Sequence, residues 1–234
     1  MNRFFDPDLF ARTYRDPLAW LSLLVDLLPV IAVIFFGWKA VPLVALYWLE
    51  NLVIGAFTIL RMLGTVAASL LNIPIALFMV PFFTVHYGMF CFGHGIFLCS
   101  FAGGDIGNAA PGPDGMRSLV GWALGTGPNM LWFVGAIVAV NAVFYLVDFV
   151  IRGGYRNTQL PGEMFAPYGR IVTLHVAIIL GAGLMLVFGQ PLLGVLILIM
   201  LRVGFGMVLN MMRRRKMDGG GDPVMNAIAE AGAG

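Results

Sequence analysis

Six long apolar runs, separated by short clusters of Gly, Pro, Asn and charge, organise the chain. The first starts at Asp16-Pro17, with proline in the first helical turn, and runs to Gly37. The second covers Pro42 to Leu63, the third Ile75 to Ala102, and the fourth Pro128 to Ile151. The fifth, Tyr168 to Phe188, and the sixth, Pro191 to Met212, are joined by a Gly189-Gln190-Pro191 hairpin. Each run reaches the roughly 20 residues that an α-helix needs to cross a bilayer. Between the third and fourth lies GGDIGNAAPGPDG, a loop by every local signal. After it, Met116 to Leu124 reads as a short interfacial helix with Trp122 at headgroup level.

Composition fits this pattern. Of 234 residues, 60% are hydrophobic and 11% charged, more apolar surface than a soluble domain of this size hides. The expected fold is an all-α bundle of six membrane spans over residues 17–212. A cytoplasmic interfacial segment, 1–16, precedes it, and a basic, then disordered, tail runs from 213 to 234. The N-terminal stretch lacks the apolar core of a signal peptide. Its Phe4, Phe5, Leu9, Phe10 and Tyr14, interleaved with Arg3, Arg12 and Arg15, fit a helix on the membrane surface or a frayed tail. With both termini cytoplasmic, Arg3, Arg12, Arg15, Arg61, Arg152, Arg156, Arg170 and the run Arg213 to Lys216 fall inside, and only Lys39 and Arg117 outside. The terminal basic run is a topological signal that also contacts anionic lipid, so no nucleic-acid partner is expected. Cys91 and Cys99, about 12 Å apart on one helix, are beyond bridging distance and read as free thiols.

The informative residues are those that the membrane makes costly, since an ionisable group inside a span costs roughly 2–3 kcal/mol or more without a partner. Asp26, Glu50, His86 and Arg202 fall near mid-membrane, with His175 in the inner third and His94 in the outer third. Asp26 and Arg202, matched in depth on the first and sixth spans, form a candidate structural ion pair. Asp148 and Arg152 are spaced for a local i,i+4 salt bridge. Glycines recur beside or within spans (Gly88, Gly93 and Gly95; Gly121 and Gly125; Gly181 and Gly183; Gly204 and Gly206), where they permit close helix approach.

Tyr47, Glu50 and Asn51 make a compact polar face on the second span. Thr84, His86 and Tyr87 make another on the third, and Thr173 with His175 one on the fifth. A carboxylate with two imidazoles, Glu50 with His86 and His175, suits zinc or another divalent metal with a position left for water. Such water supports hydrolysis. Tyr47 and Asn51 would stand behind that site and His94 at its outer side. The same residues equally suit a proton relay, and His86 or His94 paired with His175 could clamp a haem. Hydrogen bonding between helices is the plain alternative. No HExxH, HxxxH, GxSxG or cysteine-ligand pair is present.

Tyr47-Trp48-x-Glu50-Asn51, then His86-Tyr87-Gly88 with His94, then Gly169-Arg170 followed by His175, resemble an uncharacterised family of bacterial integral membrane proteins classed as a domain of unknown function. The resemblance covers the membrane portion and implies a multi-pass protein of the bacterial inner membrane, without a reaction or ligand. Three functional readings remain open: a metal site with hydrolytic chemistry on a lipid or peptide; a non-catalytic accessory or scaffold subunit with a membrane-protein partner or a second copy; and a small transporter or proton pathway. Rhomboid-type proteases share the span count, but their Gly-x-Ser-Gly nucleophile is missing here.

Overall fold

The computed structural model describes residues 11, 13–105, 111–156, 160–165, 167–169, 171, 172, 200, 203, 204, 206–208 and 211. Among these the regular elements are all helical. They are α1 (Pro17–Phe36), α2 (Ala40–Ala68), α3 (Ile73–Phe101), α4 (Pro113–Gly125), α5 (Met130–Phe144) and α6 (Leu160–Phe165). A π-helical stretch, Tyr145–Ile151, extends α5. Four helices are long and apolar enough to cross a membrane: α1, α2, α3 and α5 with its extension, Met130–Ile151. Most of the expected fifth and sixth spans lies outside the described residues. The chain divides into two compact units, Met1–Leu27 with Met200–Gly234 and Leu28–Ile199.

Local chemistry explains where the helices begin and end. Asp16 caps α1: its Oδ1 accepts the Leu18 N–H at 3.1 Å, with Pro17 in the first turn, satisfying a donor that the helix itself cannot. At the other end Gly37 takes φ +63°, and the Trp38 N–H reaches back to Ala32 O at 3.2 Å. This left-handed closure favours glycine. Trp38 then closes on α5, its Nε1–H donating to Pro128 O at 3.1 Å and its ring lying 4.7 Å from that of Phe133.

Within the larger unit, α2 and α3 are joined by two reciprocal contacts. From α2, the Trp48 Nε1–H donates to Cys91 O at 2.7 Å. From α3, the Tyr87 hydroxyl donates to Asn51 O at 2.9 Å. In each case the glycine one turn beyond the accepting carbonyl makes room for the ring. A Cβ at Gly95 would stand 2.7 Å from the Trp48 ring, and one at Gly55 would stand 2.6 Å from the Tyr87 ring. Gly95 and Gly55 thus act as the expected small residues of close helix approach. At Gly88, Gly93, Gly121, Gly125 and Gly204 a Cβ would meet nothing within 4 Å, so their smallness is not explained by packing.

The inner part of this unit gathers Met62, Ala76, Phe83, Tyr87, Cys91, Leu160, Met164 and Ile171. The short helix α6 therefore packs between α2 and α3. It is tied there by Glu163, which accepts from Arg61 Nε at 2.7 Å and Nη2 at 3.1 Å. The Arg61 guanidinium also lies 5.0 Å from the centre of the Phe149 ring on the π-helical stretch. Arg61, expected on the inner side near the end of the second span, sits within α2 and fastens α6 and the end of the α5 segment to it.

The helix expected over Met116 to Leu124 runs from Pro113 to Gly125 and does not stand apart from the bundle. Gly115, Leu119 and Ala123 form its buried edge, and a Cβ at Gly95 would stand 2.9 Å from Leu119 and 2.7 Å from the Trp48 ring. The spacing 115, 119, 123 is one face of an α-helix.

Candidate functional site

From Ala45 to Asn51 seven consecutive residues of α2 are buried. Seven residues make nearly two full turns, so the helix is enclosed in every direction at this level. Glu50, 3% exposed, lies within that stretch with Tyr47 and Asn51, also buried. The three residues expected to make the polar face of the second span are thus all inside the molecule.

Their directions differ. Trp48, Gly55 and the Asn51 carbonyl face α3 through the reciprocal contacts. At about 100° per residue, Glu50 lies some 200° around α2 from Trp48, on the side turned away from α3. Tyr47 falls between the two directions. Within the Tyr-Trp-x-Glu-Asn cluster Trp48 and the backbone carbonyl of Asn51 therefore hold α2 to α3, and the carboxyl looks elsewhere.

His86 sits on a different face of α3 from Tyr87. Its ring stacks on Phe82 with centroids 5.1 Å apart and 13° between planes. It also meets the edge of Phe90 at 5.1 Å and lies 6.2 Å from the Tyr168 ring. Phe82 and Phe90 are both exposed, so this row runs along the outer surface of α3, and His86 within it is half-buried. Among the described residues no group of three His, Cys, Asp or Glu side chains could hold a metal ion. His175 lies outside the described residues, and with it the third expected ligand and the expected haem pairings. His94 is half-buried on α3, between Cys91 and Leu98, both buried.

Thr84, part of the expected polar break in α3, bonds within its own helix, donating to Val80 O at 2.8 Å. Asp148 and Arg152 make the expected local pair at 2.9 Å. In the smaller unit Asp26 is 3% exposed, and its carboxylate occupies the space that a Cβ at Gly206 would need. This sets Asp26 against the segment expected as the sixth span. Arg202, its expected partner, lies outside the described residues.

Sequence reasoning passed over Glu163, the acid on α6 that receives Arg61 across 102 residues. It is 6% exposed. The available signal was an acid inside the short apolar segment Leu160-Pro161-Gly162-Glu163-Met164-Phe165, with an arginine late in a spanning helix in want of a partner.

Among the described residues the molecule is thus all-helical, with four helices of membrane-crossing length, an enclosed carboxyl on one of them and an ion pair tying a short helix to the bundle. The chain belongs to the family of unknown function DUF6498, whose sequence model matches residues 8–220. This agrees with the expected membership of an uncharacterised family. No curated protein and no solved structure matches the chain.

Proposed function

We propose that this is a six-span inner-membrane protein, with both termini in the cytoplasm, whose working group is the Glu50 carboxyl. That carboxyl takes up and releases a cation along a pathway for protons or small ions. The observation that carries the reading is Glu50 itself, 3% exposed at the level where α2 is enclosed on all sides. An acid placed there is costly unless it is protonated or shares its charge, and such residues in spans commonly mark ion and proton routes. The metal reading keeps Glu50 as its anchor, with a divalent ion, zinc first, in place of the proton. Because His86 faces another side, His175 would be the histidine to join Glu50. Tyr47 and Asn51 stand beside the carboxyl on the same helix in either case.

The test uses wild-type protein and Glu50→Gln, extracted gently and checked for a single monodisperse species. Elemental analysis reads bound metal, and reconstitution into vesicles with an entrapped pH dye reads proton movement down a gradient. Wild type is expected to carry near-stoichiometric metal that the Gln variant loses, or to conduct protons in a way that the Gln variant does not. A folded Gln variant that equals wild type in both readouts overturns the proposal and leaves Glu50 with a purely structural role, as in an accessory subunit.

A further inference from the structure

The end of the bundle where α2 and the α5 segment finish gathers three arginines, and their partners are unequal. Arg61 is held from two sides: Nε and Nη2 donate to Glu163, and the guanidinium lies over the Phe149 ring. It is nevertheless 32% exposed, and among the described residues nothing accepts from its Nη1. Arg152 is paired with Asp148 on its own helix. Arg156, which is exposed, meets no carboxylate among the described residues. Its Nε donates to the neutral Tyr155 hydroxyl at 3.1 Å, and its guanidinium lies 5.4 Å from the centre of that ring.

Two glycines bring Arg156 into the neighbourhood of Arg61. The π-helical stretch closes at Gly153, where φ is +73°. Gly154 then passes so near the helix end that a Cβ there would stand 2.8 Å from Asp148 O. The short turn Gly154–Arg156 consequently folds back and packs on α2, with the Tyr155 ring edge-on to Phe149 at 6.1 Å. Arg61, Phe149, Tyr155 and Arg156 thus form a continuous row, with a guanidinium at either end and two rings between.

This row stands at the edge of the hydrocarbon. Met130–Ile151 has 22 residues, about 33 Å of helix, enough to cross a core of about 30 Å with little to spare. Phe149 is therefore at one boundary of the core, and Tyr155 and Arg156 lie beyond it at the level of the headgroups, where tyrosine is favoured. At the same level of the two helices Leu60, Leu63, Val150 and Ile151 are exposed and offer apolar surface to acyl chains. Three guanidiniums face two carboxylates among the described residues here. The surplus is one positive charge, the complement of a single phosphodiester. The planar, weakly hydrated guanidinium suits phosphate oxygens, and basic pockets between spanning helices bind anionic headgroups.

We propose that this row binds one anionic phospholipid, with its phosphate between Arg61 and Arg156 and its acyl chains along α2 and the α5 extension. In the topology proposed above the lipid belongs to the cytoplasmic leaflet. It braces α2, α6 and the turn after α5 at one point, and its binding does not depend on what Glu50 does.

The test titrates delipidated protein in detergent with dioleoyl phosphatidylglycerol or dioleoyl phosphatidylcholine and counts bound lipid by native mass spectrometry. Wild type is compared with Arg156→Gln, Arg61→Lys and Arg117→Gln, each checked for monodispersity. Arg61→Lys keeps a cation for Glu163 but loses the planar fork. Arg117, exposed on α4, controls for the loss of any one surface charge. Wild type is expected to bind one phosphatidylglycerol in preference to phosphatidylcholine. Arg156→Gln should bind it about fivefold more weakly, the effect of one arginine near a membrane surface, with Arg61→Lys weakened too and Arg117→Gln unchanged. A folded Arg156→Gln or Arg61→Lys that binds like wild type overturns the site, and either variant decides alone if the other misfolds. Equal weakening in Arg117→Gln overturns it as well, because the attraction is then that of net charge. Displacement of the lipid by millimolar inorganic phosphate would make the ligand a free phosphate and overturn the lipid assignment.

Discussion

Two aromatic donors and two glycines decide how α2 and α3 meet. Trp48 and Tyr87 each use a ring to fill the groove of the opposite helix and a polar tip to bond a carbonyl there. Gly95 and Gly55 leave the necessary space. Gly55→Ala and Gly95→Ala are each expected to destabilise by about 1–3 kcal/mol, because the new methyl meets a buried ring that cannot swing aside. Unfolding in mixed detergent checks this, and Gly88→Ala, where a Cβ meets nothing, is the matched control with little change. Trp48→Phe keeps most of the ring and loses the bond, for an expected loss of about 1 kcal/mol or somewhat more. Arg61 and Glu163 form the other decisive residue pair. Arg61→Ala leaves a buried carboxylate and Glu163→Ala leaves a half-buried guanidinium, so each single change is expected to cost about 1–3 kcal/mol. The double variant should lose clearly less than the sum, and a cycle that is additive within error would show that the 2.7 Å contact carries no coupling.

At the scale of elements, the π-helical stretch Tyr145–Ile151 gives α5 its functional end. A π turn carries extra residue length relative to an α turn and rotates the residues beyond it. Here it delivers Phe149 beneath Arg61 and against Gly64. Deleting Leu146, which is exposed, is expected to restore a more regular helix while turning Phe149 by about 100° away from Arg61. The measurable outcome is a fall in thermal stability well beyond that of Leu146→Ala. The neighbouring Asp148–Arg152 pair is different in kind. It is local and partly exposed, so Asp148→Asn is expected to cost only about 0.3–0.5 kcal/mol. This pair was readable from spacing alone because one helical turn brings its members together whatever else the chain does. The Arg61–Glu163 pair was not, because no local rule relates positions 102 residues apart. The same reason explains α4: its apolar edge of Gly115, Leu119 and Ala123 was visible in the sequence, whereas the groove that receives it is assembled by Trp48 and Gly95 on two other helices.

At the scale of the molecule, the polar residues of the spans separate into distinct duties. Tyr87 holds helices together through the backbone carbonyl of Asn51, His86 belongs to an aromatic row on the outer face of α3, Asp26 meets Gly206 in the smaller unit, and Glu50 is enclosed. Depth along each span placed Glu50 and His86 at one level, and that was as far as a one-dimensional reading could go. Depth is fixed by residue count and rise, but convergence on a metal also needs azimuth, which depends on how each helix is rotated against its neighbours.

The sequence by itself determined the helical class, the first four membrane-length runs, the capped start of α1 at Asp16-Pro17, the Asp148–Arg152 bridge and membership of an uncharacterised family. All of these depend on composition, local propensity or contacts within a turn or two. Only the tertiary structure decided which face each helix turns inward, that Arg61 serves α6, and that α4 packs against α2 and α3. Those outcomes depend on side chains from distant segments fitting one another, and a large ring finding a glycine on another helix is not encoded in the spacing of either one.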